Sequence, residues 1–281
     1  DRAAVIVRAG PARVRRLAWL DDATLAATSD DGAVTVHEAA TGAIRTRLAG
    51  HRGRATTLER LPGGRLLTAG LDERVIVWDV ATATPVRIIE AAGGRASASP
   101  DGARVAVSGE SGRVAVYGAA DTPIEVGRLA RPTMTVRWSP DGRWLAAIDE
   151  GGGAGVWRTD DWTRVRDLPA RAPHRGGGTD VVFAPDSRYV LFARYGGATL
   201  LALDGGADVP LPATADQLVW AVAYAADGRL VATSNETGEV VVWSAATGEP
   251  LLRLAPGALV MQVQFTADSQ RLLTGAFDHT V

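Results

Sequence analysis

Residues Gly50–Asp79 read GHRGRATTLERLPGGRLLTAGLDERVIVWD. Two runs follow the Pro62-Gly63-Gly64 turn. Arg65-Leu66-Leu67-Thr68-Ala69 and Val75-Ile76-Val77-Trp78 are rich in apolar and β-branched residues, the composition of strands. Leu71-Asp72-Glu73-Arg74 joins them as a tight turn, a Gly-His pair opens the unit and a Trp-Asp pair closes it. The stretch reads as one antiparallel unit, and the rest of the chain repeats it in more altered form.

The repeat shows in the turns. Leu20-Asp21-Asp22, Pro62-Gly63-Gly64, Pro100-Asp101-Gly102, Pro140-Asp141-Gly142, Pro185-Asp186-Ser187, Ala226-Asp227-Gly228 and Ala267-Asp268-Ser269 are variants of one Pro-Asp-Gly turn. From Gly64 onward their third residues stand 38, 40, 45, 41 and 41 apart, the spacing of four-stranded repeat units. Before each turn runs a strand, ending at Trp19, Trp138, Phe183, Tyr224 or Phe265 where it is aromatic. After it comes a second strand, a polar turn such as Glu110-Ser111-Gly112 or Glu236-Thr237-Gly238, and a third strand such as Val240-Val241-Val242-Trp243. Thr41-Gly42 and Thr247-Gly248 lead to a fourth. No stretch has helical periodicity long enough for a helix.

These units predict an all-β fold, a single seven-bladed β-propeller of four-stranded antiparallel blades over 1–281. The blades fall at approximately 10–48, 49–90, 91–129, 130–168, 169–211, 212–254, and 255–281 together with 1–8. The seventh unit stops inside its third strand, and Ala3–Arg8 is an unassigned strand before the first. Pairing the two leaves no sheet edge open, so Ala3–Arg8 is expected to close the last blade. The chain opens without Met and stops within a repeat, so it is expected to be one domain of a larger protein. All 30 basic residues are Arg, and Ala and Gly abound, a bias that points to a GC-rich bacterial genome.

Those motifs resemble the WD40 repeat family, and the likeness covers nearly the whole chain. It implies a buried hydrogen-bond tetrad: a His before the first strand, a Ser or Thr in the second, an Asp in the turn and a Trp in the third. The matching residues are His51, Thr68, Asp72 and Trp78. Trp can only donate, ionised Asp can only accept, and Thr and His can do both. Such a series satisfies every member in a dry interior. Gly50–Asp79 is the one repeat with all four positions filled. The sixth keeps Thr233 and Trp243 with Thr237 at the Asp position, and the seventh keeps Thr274 and Asp278. The fifth has His174 but Ala193 and Gly197. The first, third and fourth lack most of the set, and the departing repeats are expected to rely on apolar packing. The fourth and fifth repeats also resemble TolB-like propeller repeats.

Chemistry is sparse. Cysteine is absent, so there is no disulfide framework and no thiolate nucleophile. His37, His51, His174 and His279 fall in four different repeats without metal-ligand spacing, and no Gly-x-Ser-x-Gly elbow occurs. Gly151–Gly155 lies at a hairpin turn with no helix after it, so it reads as a turn rather than a phosphate loop. Asn235-Glu236-Thr237 matches a glycosylation acceptor but also lies in a turn. No enzyme activity, cofactor or metal is expected. Net charge is −2, without the basic excess of a nucleic-acid binder, and no apolar run reaches the ~18 residues of a membrane helix. Without a signal-peptide layout, a cytoplasmic location is expected.

Through the resemblance, the expected function is a non-enzymatic interaction, scaffold or sensor module. It would bind a protein or peptide through its loop face, with an effector domain linked outside this segment. Candidate contacts are the residues just before the turn position, Asp30, Leu71, Glu110, Glu150, Glu236 and Phe277, and the first-strand entries Met134, Trp220 and Met261. Trp220, Met261 and Phe277 belong to adjacent repeats and have the composition of an interaction hot spot. Arg13, Arg15 and Arg16 with Arg52 and Arg54 form a basic group that could meet a phosphate or an acidic partner, or stand solvated. Two other readings stand beside this one: an enzymatic propeller of lactonase or hydrolase type with a site in the central channel, and a structural, self-associating repeat.

Overall fold

The computed structural model describes residues 12, 14–120, 122–170, 178–212, 217–255, 257–266 and 268–276. Strands are the only regular elements among them. The first sheet comprises β1 (Val14–Trp19), β2 (Thr24–Ser29), β3 (Val34–Glu38) and β4 (Ile44–Leu48). The second comprises β5 (Ala55–Leu61), β6 (Arg65–Gly70), β7 (Arg74–Asp79) and β8 (Thr84–Glu90), and the third β9 (Arg95–Ala98), β10 (Val105–Ser108), β11 (Arg113–Tyr117) and β12 (Ile124–Arg128). The fourth comprises β13 (Thr133–Trp138), β14 (Trp144–Asp149), β15 (Ala154–Arg158) and β16 (Arg164–Leu168). The fifth comprises β17 (Gly178–Phe183), β18 (Tyr189–Arg194), β19 (Gly197–Ala202) and β20 (Val209–Pro212), and the sixth β21 (Val219–Tyr224), β22 (Leu230–Asn235), β23 (Val240–Ser244) and β24 (Pro250–Leu254). The seventh is a pair, β25 (Val260–Phe265) and β26 (Leu272–Ala276).

Each sheet is a meander in chain order. Among the described residues, six sheets of four strands and one of two fit the blades of a seven-bladed β-propeller. Ala3–Arg8, the strand expected to close the seventh blade, and the residues after Ala276, where its third strand is expected, lie outside the described residues. The chain divides into two compact units, Asp1–Glu125 and Val126–Val281.

Burial explains the apolar runs. Second and third strands such as β2, β7, β19 and β23 are buried along nearly their whole length. In the first unit, Ala26, Val34 and Leu48 pack on Leu66, Ile76 and Trp78, and Leu67, Val75 and Ile89 pack on Val105, Val107 and Tyr117. In the second, Ala146, Ile148 and Val156 meet Val190, Phe192 and Leu201. Leu191, Leu200 and Leu211 meet Val222, Val231 and Trp243. Ala232, Val240 and Val242 meet Val260 and Val263.

The Pro-Asp-Gly turns place their third residue at positive φ, which glycine tolerates without strain. Gly142 stands at φ 73°, while Ser187 and Ser269 hold the same position at 60° and 59°. Both serines are buried, and each accepts an amide from the preceding sheet's turn, from Asp141 and Asp227 respectively, at 3.2 Å. Side-chain hydrogen bonds across sheets offset the backbone strain.

Two β-bulges recur. One lies at the start of the first strand: the ladder slips between Val14 and Arg16, Ala55 and Thr57, Thr133 and Thr135, Gly178 and Val181, Val219 and Ala221, and Val260 and Gln262. The other lies opposite the aromatic of the third strand, His37, Trp78, Trp157 or Trp243. There the extra residue of the outer strand is Arg45, Val86, Val165 or Leu251. Bulges interrupt an open edge and discourage edge-to-edge pairing, which is why exposed Val86, Val165 and Leu251 sit on outer strands.

One outer strand departs from the rest. Leu48, Ile89 and Leu211 are 1–3% exposed against the sheet that follows each of them, whereas Leu254, in the same register, is 40% exposed.

Candidate functional site

The tetrad residues converge inside the second sheet. The Trp78 indole N–H donates to Thr68 Oγ1 at 2.8 Å. The Thr68 hydroxyl donates to His51 Nε2 at 2.8 Å, and His51 Nδ1–H donates to Asp72 Oδ1 at 3.0 Å. The Arg52 amide closes the series on Asp72 Oδ2 at 2.8 Å. This directionality sets the histidine tautomer. Thr68, Trp78 and the His51 side chain are fully buried. Burial alone would raise the Asp72 pKa, but the Arg52 amide and the His51 hydrogen bond outweigh it and hold the carboxyl below its usual range. Thr68, His51 and Asp72 form a hydroxyl–imidazole–carboxylate series like that of a hydrolase. Thr68, however, is closed from substrate, and its oxygen already accepts the Trp78 N–H. Among the described residues no three of His, Cys, Asp and Glu form a group able to hold a metal.

Close packing makes room for the tetrad. A Cβ at Gly70 would stand 2.7 Å from His51 Nδ1 and closer still to Asp72 Oδ1. Other sheets fill that register with a side chain. Asp149 Oδ1 accepts the Gly151 and Gly153 amides at 2.9 Å, and Asn235 Oδ1 accepts Thr237 and Glu239 amides at 3.1 and 3.0 Å. Ser29 Oγ donates to Asp31 at 2.5 Å. The apolar packing expected of these sheets is present, and each of the three also has its own polar cap, in the same place, built from different residues. The sequence signal is a polar residue three before the turn glycine, as in Ser29…Gly32, Asp149…Gly152 and Asn235…Gly238. Asn235 Nδ2 is committed to Gln217 and Glu239, so the glycosylation-like triplet is a turn cap.

In the sixth sheet Trp243 Nε1–H donates to Thr233 Oγ1 at 3.0 Å, repeating the indole–hydroxyl half of the tetrad. The first sheet has His37 in the Trp78 register, with Nε2 accepting from Thr35 Oγ1 at 2.7 Å and Nδ1–H donating to Gly42 O at 3.0 Å. His174, Phe277, Asp278 and His279 lie outside the described residues.

The first-strand entries are bulged residues: Arg15, Thr56, Met134, Trp220 and Met261 are each the extra residue of their strand. All five are half-buried. Trp220 and Met261 stand at equivalent places on the adjacent strands β21 and β25. The Trp220 N–H is buried without an acceptor among the described residues, so its ring rather than its donor is what a partner could meet.

The turn residues share that end of the sheets. Leu71 N–H donates to Arg54 O at 2.9 Å, Glu150 N–H to Pro132 O at 2.9 Å and Glu236 N–H to Leu218 O at 3.0 Å. Leu71 is 54% exposed, and Glu110 and Glu236 are exposed. Two of the acids are engaged. Asp30 takes Arg15 Nε at 2.5 Å and Arg54 Nε at 2.8 Å, and Glu236 Oε1 accepts the Leu218 amide at 3.3 Å. The acidic turns therefore do not form one uniform set of free carboxylates.

Repeated four-stranded antiparallel sheets, with an indole bonded to the hydroxyl of the neighbouring strand, define a β-propeller repeat protein. The family model for the WD domain, G-beta repeat, matches residues 211–244. This segment runs from the end of β20 through β23 and contains the Thr233–Trp243 pair. The match and the repeated sheets fit the WD40 β-propeller family. It falls on the sixth repeat rather than on the repeat with the complete tetrad. No curated protein matches the chain. WD40 repeats and blade-like sheets support a protein-interaction scaffold in general terms.

Proposed function

We propose that this chain is a non-catalytic interaction domain, one propeller over its length, that docks a protein or peptide on the loop end of its sheets. The observation that supports this most is the recurrent first-strand bulge. A bulge frees one residue from the ladder and re-aims its side chain, and it places Arg15, Thr56, Met134, Trp220 and Met261 beside the turns. Trp and Met at such a place suit an apolar anchor, so Trp220 and Met261 are the preferred contact. Fixed strands beneath them lower the ordering cost of binding. Net charge of −2 favours a protein partner over nucleic acid or a membrane surface. The setting we propose is the bacterial cytoplasm, with an effector domain linked outside this segment.

The test is a peptide-array screen of the purified chain, followed by titration of the best binders against Trp220→Ala and Met261→Ala. Trp220→Ala is expected to weaken binding at least ~10-fold, since buried aromatic anchors contribute about 2 kcal/mol or more. Binders indifferent to both substitutions would overturn the assignment.

A further inference from the structure

We propose that the seventh sheet takes up a β-strand from a protein partner, added to β26, and that this strand carries the pattern Val-x-Val-Trp. The seat is independent of the Trp220–Met261 reading. In the other six sheets the second strand is hydrogen-bonded on both sides, whereas β26 is bonded on one side only among the described residues. Leu273 is 37% exposed there, while Leu67, Leu191 and Ala232, in the same register, are fully buried. Strand β24 has the matching defect. Leu252 and Leu254 pair with Val242 and Val240, which pack toward the seventh sheet with Val260 and Val263. The two leucines extend that apolar face, and they are 50% and 40% exposed.

Equivalent faces of the same molecule show what covers such a seat. Leu48 is buried with Ile76 and Trp78, Ile89 with Ala115 and Tyr117, and Leu211 with Val241 and Trp243. Each time the cover is the third strand of the following sheet, with an aliphatic side chain and an aromatic two positions later. Thr274 narrows the aromatic to tryptophan. It stands in the register of Thr68 and Thr233, which accept the indole N–H of Trp78 and Trp243 at 2.8 and 3.0 Å. Thr274 Oγ1 itself makes no hydrogen bond among the described residues. Leu252 also sets this seat apart. Arg87 and Arg166 hold its register on β8 and β16 and donate to Gly118 O and Ala202 O, at the end of the next third strand. Leucine there offers an apolar neighbour where those seats offer a cation. A strand added to an open edge gains main-chain hydrogen bonds, and pockets for its alternate side chains give specificity.

The experiment is fluorescence anisotropy with the whole chain and a labelled peptide of the β7 sequence, Arg74–Asp79. Control peptides carry Phe in place of the Trp, or Ser in place of both the Ile and the Trp. The protein variants are Leu254→Glu, Thr274→Val and Trp220→Ala, each with a thermal midpoint to report the fold. The parent chain is expected to bind the peptide. Leu254→Glu is expected to weaken it at least ~10-fold, since it brings a charge into an apolar seat. Thr274→Val is expected to weaken the Trp peptide and leave the Phe peptide unchanged, because only the indole donates. Trp220→Ala is expected to be silent. No binding by the folded parent, equal binding of the Ser peptide, or a Thr274→Val effect that is absent or the same for both peptides would overturn the proposal. Sensitivity to Trp220→Ala alone would overturn this seat while leaving the Trp220–Met261 reading intact. Binding that appears only in an Ile6→Asp chain would give the seat to this chain's own first segment. A dimer by light scattering that Leu254→Glu disperses would give it to a second copy. Either result would overturn a partner strand.

Discussion

Replacing Trp78 with Phe keeps an aromatic ring in the β7 core and removes one donor. Thr68 Oγ1 then loses a 2.8 Å hydrogen bond in a fully buried site. The lost bond and the unmet lone pair together cost about 1–2 kcal/mol. The missing ring atoms leave a void whose cost is on the order of 1 kcal/mol. The expected loss is therefore about 2–3 kcal/mol, a fall in thermal midpoint on the order of 5 °C for a domain of this size. The hydrogen-bond part can be isolated by a double-mutant cycle with Thr68→Val. Thr68→Val alone leaves both the Trp78 N–H and His51 Nε2 without a partner, whereas the double variant leaves only His51. The double variant should thus be less destabilised than the sum of the singles by about 1 kcal/mol or more. Urea unfolding followed by far-ultraviolet circular dichroism reads all four proteins without relying on tryptophan emission. Strict additivity, or a Trp78→Phe protein within about 0.3 kcal/mol of the parent, would refute the closed network as a stabilising unit.

Four further outcomes follow from the same structure. Gly70→Ala should destabilise by about 2 kcal/mol or more, since its methyl meets Asp72 and His51 in a packed interior; parental stability by urea unfolding would show that the tetrad can yield. Asp149→Ala should cost about 1–3 kcal/mol by freeing the Gly151 and Gly153 amides, whereas Asp149→Asn should be much milder, because Asn235 does the same work in the sixth sheet; equal losses on thermal melting would contradict this. Ser187→Ala should lose about 1 kcal/mol, while Ser187→Gly should lie closer to the parent, as relief at φ 60° offsets the lost bond to Asp141; calorimetric midpoints in the reverse order would be decisive against it. The Asp72 carboxyl has a folded pKa below its unfolded one, so its contribution is full above the ordinary carboxylate range and vanishes as pH falls through the folded value. The stability gap between the parent and Asp72→Ala should therefore close between roughly pH 5 and pH 1, and a gap unchanged over that range would rule out an ionised Asp72 as the acceptor.

The sequence was most legible where one residue type has one physical use. Trp78, Thr68, His51 and Asp72 could be placed because an indole must donate and a carboxylate must accept, and the spacing put them in one sheet. The Pro-Asp-Gly turns marked the period because few residues tolerate positive φ. The caps at Ser29, Asp149 and Asn235 were less legible, because three chemistries meet the same need and only the distance to the turn glycine relates them. His37 was hidden for a similar reason: it takes an indole's register but finds its own partners in Thr35 and Gly42. The candidate contacts were found by position, yet the bulge that sets them apart was invisible, since a one-residue slip shows only when both strands are in view. Charge was the least readable property. Asp30 reads as one acid of a set, yet two guanidiniums, Arg15 and Arg54, bind it.

The first-strand bulge also bears on how such a chain can change. A residue outside the ladder does not set register, and the five described in full hold Arg, Thr, Met, Trp and Met. Substitution at these sites should alter recognition while disturbing the strands little. They are the places to randomise when new binding specificities are selected from this scaffold.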